Sequence, residues 1–154
     1  MAEVVGWRIA KQKHAATAFS GEGARIFEGR WNSVGVPVVY CSENLALAAL
    51  EILVHTQPVS MLGPFRAFRV VFDSSVMSRI PLNKLPKGWN LQPATAVSKK
   101  IGNEWIKSGR SAVLALPSVL VPLESTYLLN PKHSDFTKIK ITDSGNFVLD
   151  PRLR

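Results

Sequence analysis

Between Asn44 and Val54 the chain carries no charge except at Glu51. The eleven residues NLALAALEILV have the length and the leucine–alanine content of a helix rather than a strand. A helix this apolar must bury most of its sides, so the rest of the chain must supply a broad surface for it to lie on. On a helical wheel at about 100° per residue, Glu51 shares a stripe with Asn44, Leu47, Ala48, Val54 and His55, and Leu45, Ala46, Ala49 and Leu53 lie opposite. The helix is predicted from about Glu43 to His55, capped by Ser42 and ended before Pro58, with one acid reaching something polar. The segment just before it, VPVVYCS, is β-branched and aromatic and suits a buried strand.

Other strands are predicted at Val4 to Ile9 and in FRAFRVVFD, where Phe68, Val70 and Phe72 share a face. SAVLALPSVLVP gives one or two buried strand pieces around Pro117, and FTKIKITDSGNFVLD a closing hairpin turning at Asp143 to Asn146. From about Pro93 to Ser108 the pattern fits an amphipathic helix with Val97, Ile101 and Trp105 on one face and Gly109 as its stop. SGEGARIFEGRWNSVGVP reads as a long irregular loop, and IPLNKLPKGWN as a surface connection. Strands outnumber helices, so the fold class is α+β with a mostly antiparallel or mixed sheet. With 154 residues and no Ser/Gly-rich linker, a single domain over 1–154 is expected.

Nineteen Lys and Arg against eleven Asp and Glu give a net charge of +8, which favours a polyanionic partner: nucleic acid, a nucleotide or an acidic protein. The cations are scattered and carry no helix-turn-helix, zinc-finger or RNP signature, so a basic nucleic-acid-binding module is the alternative reading from another class. One cysteine, Cys41, excludes an intrachain disulfide and a multi-cysteine zinc site and fits a reducing cytoplasm. His14, His55 and His133 share no metal-binding spacing, so no metal is expected. The longest apolar stretch, LALAALEILV, is too short to span a bilayer, and the N-terminal residues lack the form of a secretory signal; no membrane association is expected.

The residues that could carry chemistry are few. Glu51 is either a lone functional acid or a side chain pointing to water. Arg8 in the first strand, and Arg25 and Arg30 in the glycine-bearing loop, offer planar forks that match phosphate oxygens, or are solvated surface charges. Tyr40 at the end of its strand could stack on a planar heterocycle or pack in the core. Ser118, after Pro117, reads first as a backbone-bonded strand breaker and second as a hydroxyl facing a cleft. A Cys41–His55 thiol–imidazole pair is disfavoured, because Cys41 lies in a buried-looking strand.

Taken in order, GRWN, VVY, a helix with ALE and VH, then LPS and LLNP resemble the RES-domain family, toxins of bacterial toxin–antitoxin modules. The likeness covers most of the chain, from WRI to LLNP. It implies a compact fold resembling diphtheria-toxin-like ADP-ribosyltransferases, with NAD as substrate rather than redox cofactor. It implies NAD consumption by cleavage of the nicotinamide–ribose bond, through hydrolysis or phosphorolysis, or ADP-ribosylation of a protein. Carried over residue by residue, it implies that Glu51, Arg30 and Ser118 are catalytic and that Arg8, Arg30, Tyr40 and Ser118 bind NAD. It also implies a partner antitoxin of Xre type that occludes the active site, with DNA reached only through that antitoxin.

Overall fold

The computed structural model describes residues 2–55 and 63–153. Seven strands, β1 (Glu3–Lys11), β2 (Val39–Ser42), β3 (Phe65–Asp73), β4 (Met77–Arg79), β5 (Val113–Pro117), β6 (Ser125–Leu129) and β7 (Lys140–Phe147), form one sheet. Their order is β4-β5-β6-β2-β1-β3-β7. The β4–β5 pair is parallel and the other pairs are antiparallel, giving the mixed sheet expected. Helices α1 (Glu22–Ile26), α2 (Leu45–His55) and α3 (Ala96–Ser108) interrupt the strands. No helix among the described residues is long and apolar enough to cross a membrane.

The centre of the sheet is a seam. β1 pairs with β3 along its whole length, from Glu3 opposite Asp73 to Lys11 opposite Phe65. Between β1 and β2 a single pair, Trp7 opposite Ser42, carries the register. That pair fixes which side chains share a face, because successive strand residues alternate. Trp7, Ile9 and Tyr40 fall on one face. Arg8, Ala10 and Cys41 fall on the other. Ile9 and Phe65 pack with Ala48 of α2, and Leu114, Leu116 and Leu128 pack with Trp31, Trp89 and Trp105 of the α3 side. On the opposite face Val39, Cys41, Val70, Phe72, Val113 and Leu129 make the main core.

Helix α2 starts later than its sequence suggests. Its cap is Asn44, whose Oδ1 accepts from the Leu47 amide at 2.8 Å, and not Ser42. Glu43 instead accepts from the Ser125 amide at 2.6 Å and ties the entry of α2 to β6. The helix is less enclosed than its composition implies. Leu47 and Ala48 are buried, whereas Leu50 is 41% and Val54 55% exposed. Its sheet-facing side runs through Leu45, Ala48, Ala49 and Ile52, which pack with Ile9 and Phe65, so the stripe of Glu51 is buried at Leu47 and Ala48 and reaches the surface at Val54 and His55. Pro58, expected to lie beyond its end, falls outside the described residues.

Three further expectations are corrected. The predicted turn at Asp143 to Asn146 is a bulge inside one strand, β7, where the register against β3 slips between Arg66 and Phe68. Gly145 adopts φ +96°, and the Asp143 carboxylate accepts its amide at 2.9 Å, so turn chemistry here bends a strand without reversing it. On α3 the buried residues are Ser98, Gly102 and Trp105, whereas Val97 is 37% exposed. The loop 20–37 contains α1 and a bridge between Gly29 and Asn32. Gly109 does end α3, at φ +62°.

Candidate active site

The GRWN segment folds as a small knot around one amide. Asn32, 1% exposed, donates through Nδ2 to the carbonyls of Ala24, Ser33 and Val36 at 2.7, 3.3 and 3.2 Å. Its Oδ1 accepts from the Gly29 amide at 3.0 Å and from the Tyr40 hydroxyl at 2.6 Å. The Tyr40 oxygen in turn accepts the Trp31 amide at 3.0 Å. Gly29 is required by this packing, since a Cβ there would lie 2.6 Å from the Tyr40 hydroxyl oxygen. Trp31 is buried and stacks on Trp89, ring centroids 5.9 Å apart.

This knot presents Arg30. Its Nη1 donates to the carbonyls of Trp89 and Leu91 at 3.1 and 2.8 Å, and its Nη2 donates to Gln92 Oε1 at 2.8 Å. Of the five guanidinium N–H groups, three are used, leaving Nε–H and one Nη2–H for a ligand. Burial pulls the Arg30 pKa below its ordinary value, and the negative charge of Glu51 opposes that pull. Burial pushes the Tyr40 phenol well above the usual range, and the Glu51 carboxylate pushes the same way, whereas Arg30 opposes. Glu51, Arg30 and Tyr40 therefore share one electrostatic neighbourhood on the α2 face of the sheet.

The Glu51 carboxylate is one-third exposed and lies 3.5 Å from His55 Nε2. The hydrogen bond to Glu51 holds the His55 pKa above its ordinary 6.5; partial burial and the Arg30 charge work against it. A raised histidine pKa means stability that is complete below about pH 6.5 and lost as pH rises through the folded value. Thermal melts of the parent and of His55→Gln are expected to differ most at acidic pH, below about 6.5, and to converge as pH rises through the folded value. A difference that grows with pH would show that the pair is not formed.

Arg8 stands apart from this group. Its side chain leaves β1 on the Cys41 face, and its Nε and Nη1 donate to the carbonyls of Ala18 and Tyr40 at 2.8 and 2.9 Å. The guanidinium thus reaches into the seam between β1 and β2. Burial lowers its pKa, and among the described residues no carboxylate lies within ion-pair distance of it. Ser118 is fully buried, and its Oγ accepts from the amides of Leu120 and Val121 at 3.1 and 3.2 Å. That is the backbone-bonded role its setting suggested, in the turn leading to β6. Arg25 pairs with Glu22 at 2.8 Å on the surface. Cys41 is buried and its thiol is pushed up to about 12, mainly by burial, the state of an inert core cysteine.

The residues missed in the sequence are the supporting ones: Asn32, His55, Gln92, Ser98 and Gly102. Asn32 had a signal, as an amide inside a glycine-flanked loop. Gln92 and Ser98 had none, because their roles depend on contacts more than sixty residues away. A groove of about 430 Å³ lined by Glu28, Ser33, Lys99 and Asn103, among others, lies behind the knot and contains none of the five predicted site residues.

A seamed mixed sheet with one acid on a covering helix, in the electrostatic neighbourhood of an arginine held by a loop knot, defines a small α+β domain. The chain belongs to the RES domain family, whose model matches residues 5–150. It is 37% identical over 149 residues to a protein named Toxin Res from Yersinia enterocolitica, covering 96% of this chain and 98% of that one. It is 39% identical over 155 residues to the Prs ADP-ribosylating toxin of Sphingobium sp. (strain YBL2), covering 96% and 94%. Among solved structures, one from the M. tuberculosis MbcT–MbcA toxin–antitoxin complex superposes with a TM-score of 0.74 at 15% identity, over 99% of this chain and 87% of that one. That likeness extends the fold assignment.

Proposed function

We propose that this chain is the toxin of a toxin–antitoxin module and that it consumes NAD by breaking the nicotinamide–ribose bond. The observation that carries the reading is the one-third-exposed Glu51 carboxylate on α2, whose negative charge acts on both Arg30 and Tyr40. Ordinary glycoside cleavage uses two carboxylates, one of them to protonate the leaving group. Nicotinamide leaves from a pyridinium. The electron pair of the C1′–N bond returns to the ring nitrogen, and nicotinamide departs neutral with no proton needed. One carboxylate is then sufficient: it accepts from the ribose hydroxyls and stabilises the developing sugar cation. The cation is captured by water, phosphate or a protein side chain.

In this reading the two unused N–H groups of Arg30 grip the pyrophosphate, and the buried, carboxylate-free Arg8 offers a second cation in the seam. The Tyr40 hydroxyl holds the loop that carries Arg30. Ser118 keeps the turn beside the α2 entry in place through its bonds to the Leu120 and Val121 amides. Transfer of ADP-ribose to a protein is the second reading, favoured by the name of the Sphingobium relative. The antitoxin is proposed to be an Xre-type protein that covers the cleft, in the cytoplasm.

Incubating the purified chain with NAD, with and without inorganic phosphate, tests the reading. Free nicotinamide is expected in both, with a phosphorylated ADP-ribose only in the second if phosphate is the acceptor. NAD left intact in both would overturn it. Arg30→Ala is expected to raise the KM for NAD at least about tenfold, the scale of one charge-assisted contact. Arg152→Ala, at a side chain 90% exposed and paired only with Asp150, is the control and should leave KM unchanged. Equal effects would mean that Arg30 is a surface charge.

A further inference from the structure

We infer that helix α3 is the positioning element of Arg30, acting through Ser98, Gly102 and Asn103; this rests on the reading of Arg30 as the cation that grips the substrate. Ser98 is fully buried, and its Oγ donates to the Arg30 carbonyl at 2.7 Å. One turn later stands Gly102, where any Cβ would fall on the carbonyl oxygen of Trp31. At the next residue Asn103 Oδ1 accepts the Ser33 amide at 3.1 Å, and Nδ2 donates to Ser33 Oγ at 2.8 Å. Three helix residues thus meet three loop residues, Arg30, Trp31 and Ser33.

Packing alone does not account for this face. A hydroxyl in a helix's buried stripe is unfavourable unless it is bonded, and glycine in a helix interior is worse than alanine. Within its own turn Ser98 Oγ has a long contact of 3.4 Å to the Thr95 carbonyl, and the short bond comes from the loop backbone, which is also what lies against Gly102. The segment just before α3 holds the other end of the same residue, through the Trp89 and Leu91 carbonyls and Gln92. Arg30 is therefore fixed at its backbone by α3 and at its guanidinium by the approach to α3. These two anchors together hold its side chain in one position.

The test uses the full chain and the variants Ser98→Ala and Asn103→Ala, the second at a half-buried position in case the first fails to fold. Each is expected to raise the KM for NAD about three- to tenfold with kcat changed less than about twofold. In an Arg30→Ala background the same substitutions should leave KM unchanged while lowering the melting temperature as before. Equal KM effects in both backgrounds, or none in the parent, would overturn the inference. A second readout needs no turnover: the Arg30 Nε–H resonance, assigned by its loss in Arg30→Ala and recorded without NAD. It should shift or broaden in Ser98→Ala. If the parent cleaves no NAD, the functional reading fails, and this resonance alone decides the positioning role, an unchanged signal overturning it.

Discussion

Glu51→Ala is expected to keep the fold and to slow nicotinamide release from NAD by about 10²–10³-fold, the range for removing one preorganised electrostatic contact to a transition state. The fold survives because the carboxylate, one-third exposed, has a single ionic partner among the described residues, and that partner, His55, is itself 73% exposed. Such i,i+4 pairs on a surface contribute little, about 0.3–0.5 kcal/mol. The activity falls because, among the described residues, Glu51 is the carboxylate whose charge acts on Arg30. Glu43 is bound to the Ser125 amide at the far end of α2, and Glu28 is paired with Lys99 at 2.7 Å. Glu51→Gln separates charge from shape: it retains a hydrogen-bond acceptor for the ribose, so it should keep NAD binding while losing turnover. Nicotinamide release at the parental rate by either variant would remove Glu51 from the mechanism.

The second large effect is on stability. In Gly102→Ala the new methyl must displace the Trp31 carbonyl, which is backbone and cannot rotate away as a side-chain tip could. Trp31 is 2% exposed and stacked on Trp89, so the displacement propagates into the tryptophan cluster between α3 and the sheet. Overpacking of this kind costs about 2–3 kcal/mol, even after the gain in helix propensity. For a domain of this size that lowers the melting temperature by about 5–10 °C. Gly23→Ala is the comparison: it lies within α1, and a Cβ there meets nothing within 4 Å. It should be neutral or slightly stabilising. Thermal melts of the two variants side by side check both statements; equal shifts would mean that the contact at Gly102 is not as close as described.

The parts of this domain legible in sequence are those set by local pattern. The β-branched and aromatic run in FRAFRVVFD is β3 from end to end, and glycine after an amphipathic stretch ends α3. The lone acid in an apolar helix singles out Glu51, although the stripe it shares is buried at Leu47 and Ala48 and exposed at Val54. What sequence did not show depends on partners distant in the chain. β4 is three residues long and exists through its parallel pairing with β5. β6, Ser125–Leu129, is fully buried between β5 and β2, yet its STYLL segment has no alternation to mark it. On the inner face of α3, Trp105 is buried and Ile101 packs on the same tryptophan cluster as periodicity predicts, whereas Val97 yields to Ser98 and Gly102, because a loop backbone packs there. The family resemblance pairs Arg8 with Arg30, and one residue pair, Trp7 with Ser42, places the Arg8 side chain on the Cys41 face, at the seam.

The most direct measurement is the rate of free nicotinamide formation from NAD by the purified parent chain, set against Glu51→Gln prepared in the same way and shown by its melting curve to be folded. Multiple nicotinamides released per parent molecule, with the variant slower by at least about a hundredfold, is the expected result. No nicotinamide from the parent, or the same rate from both proteins, would contradict it.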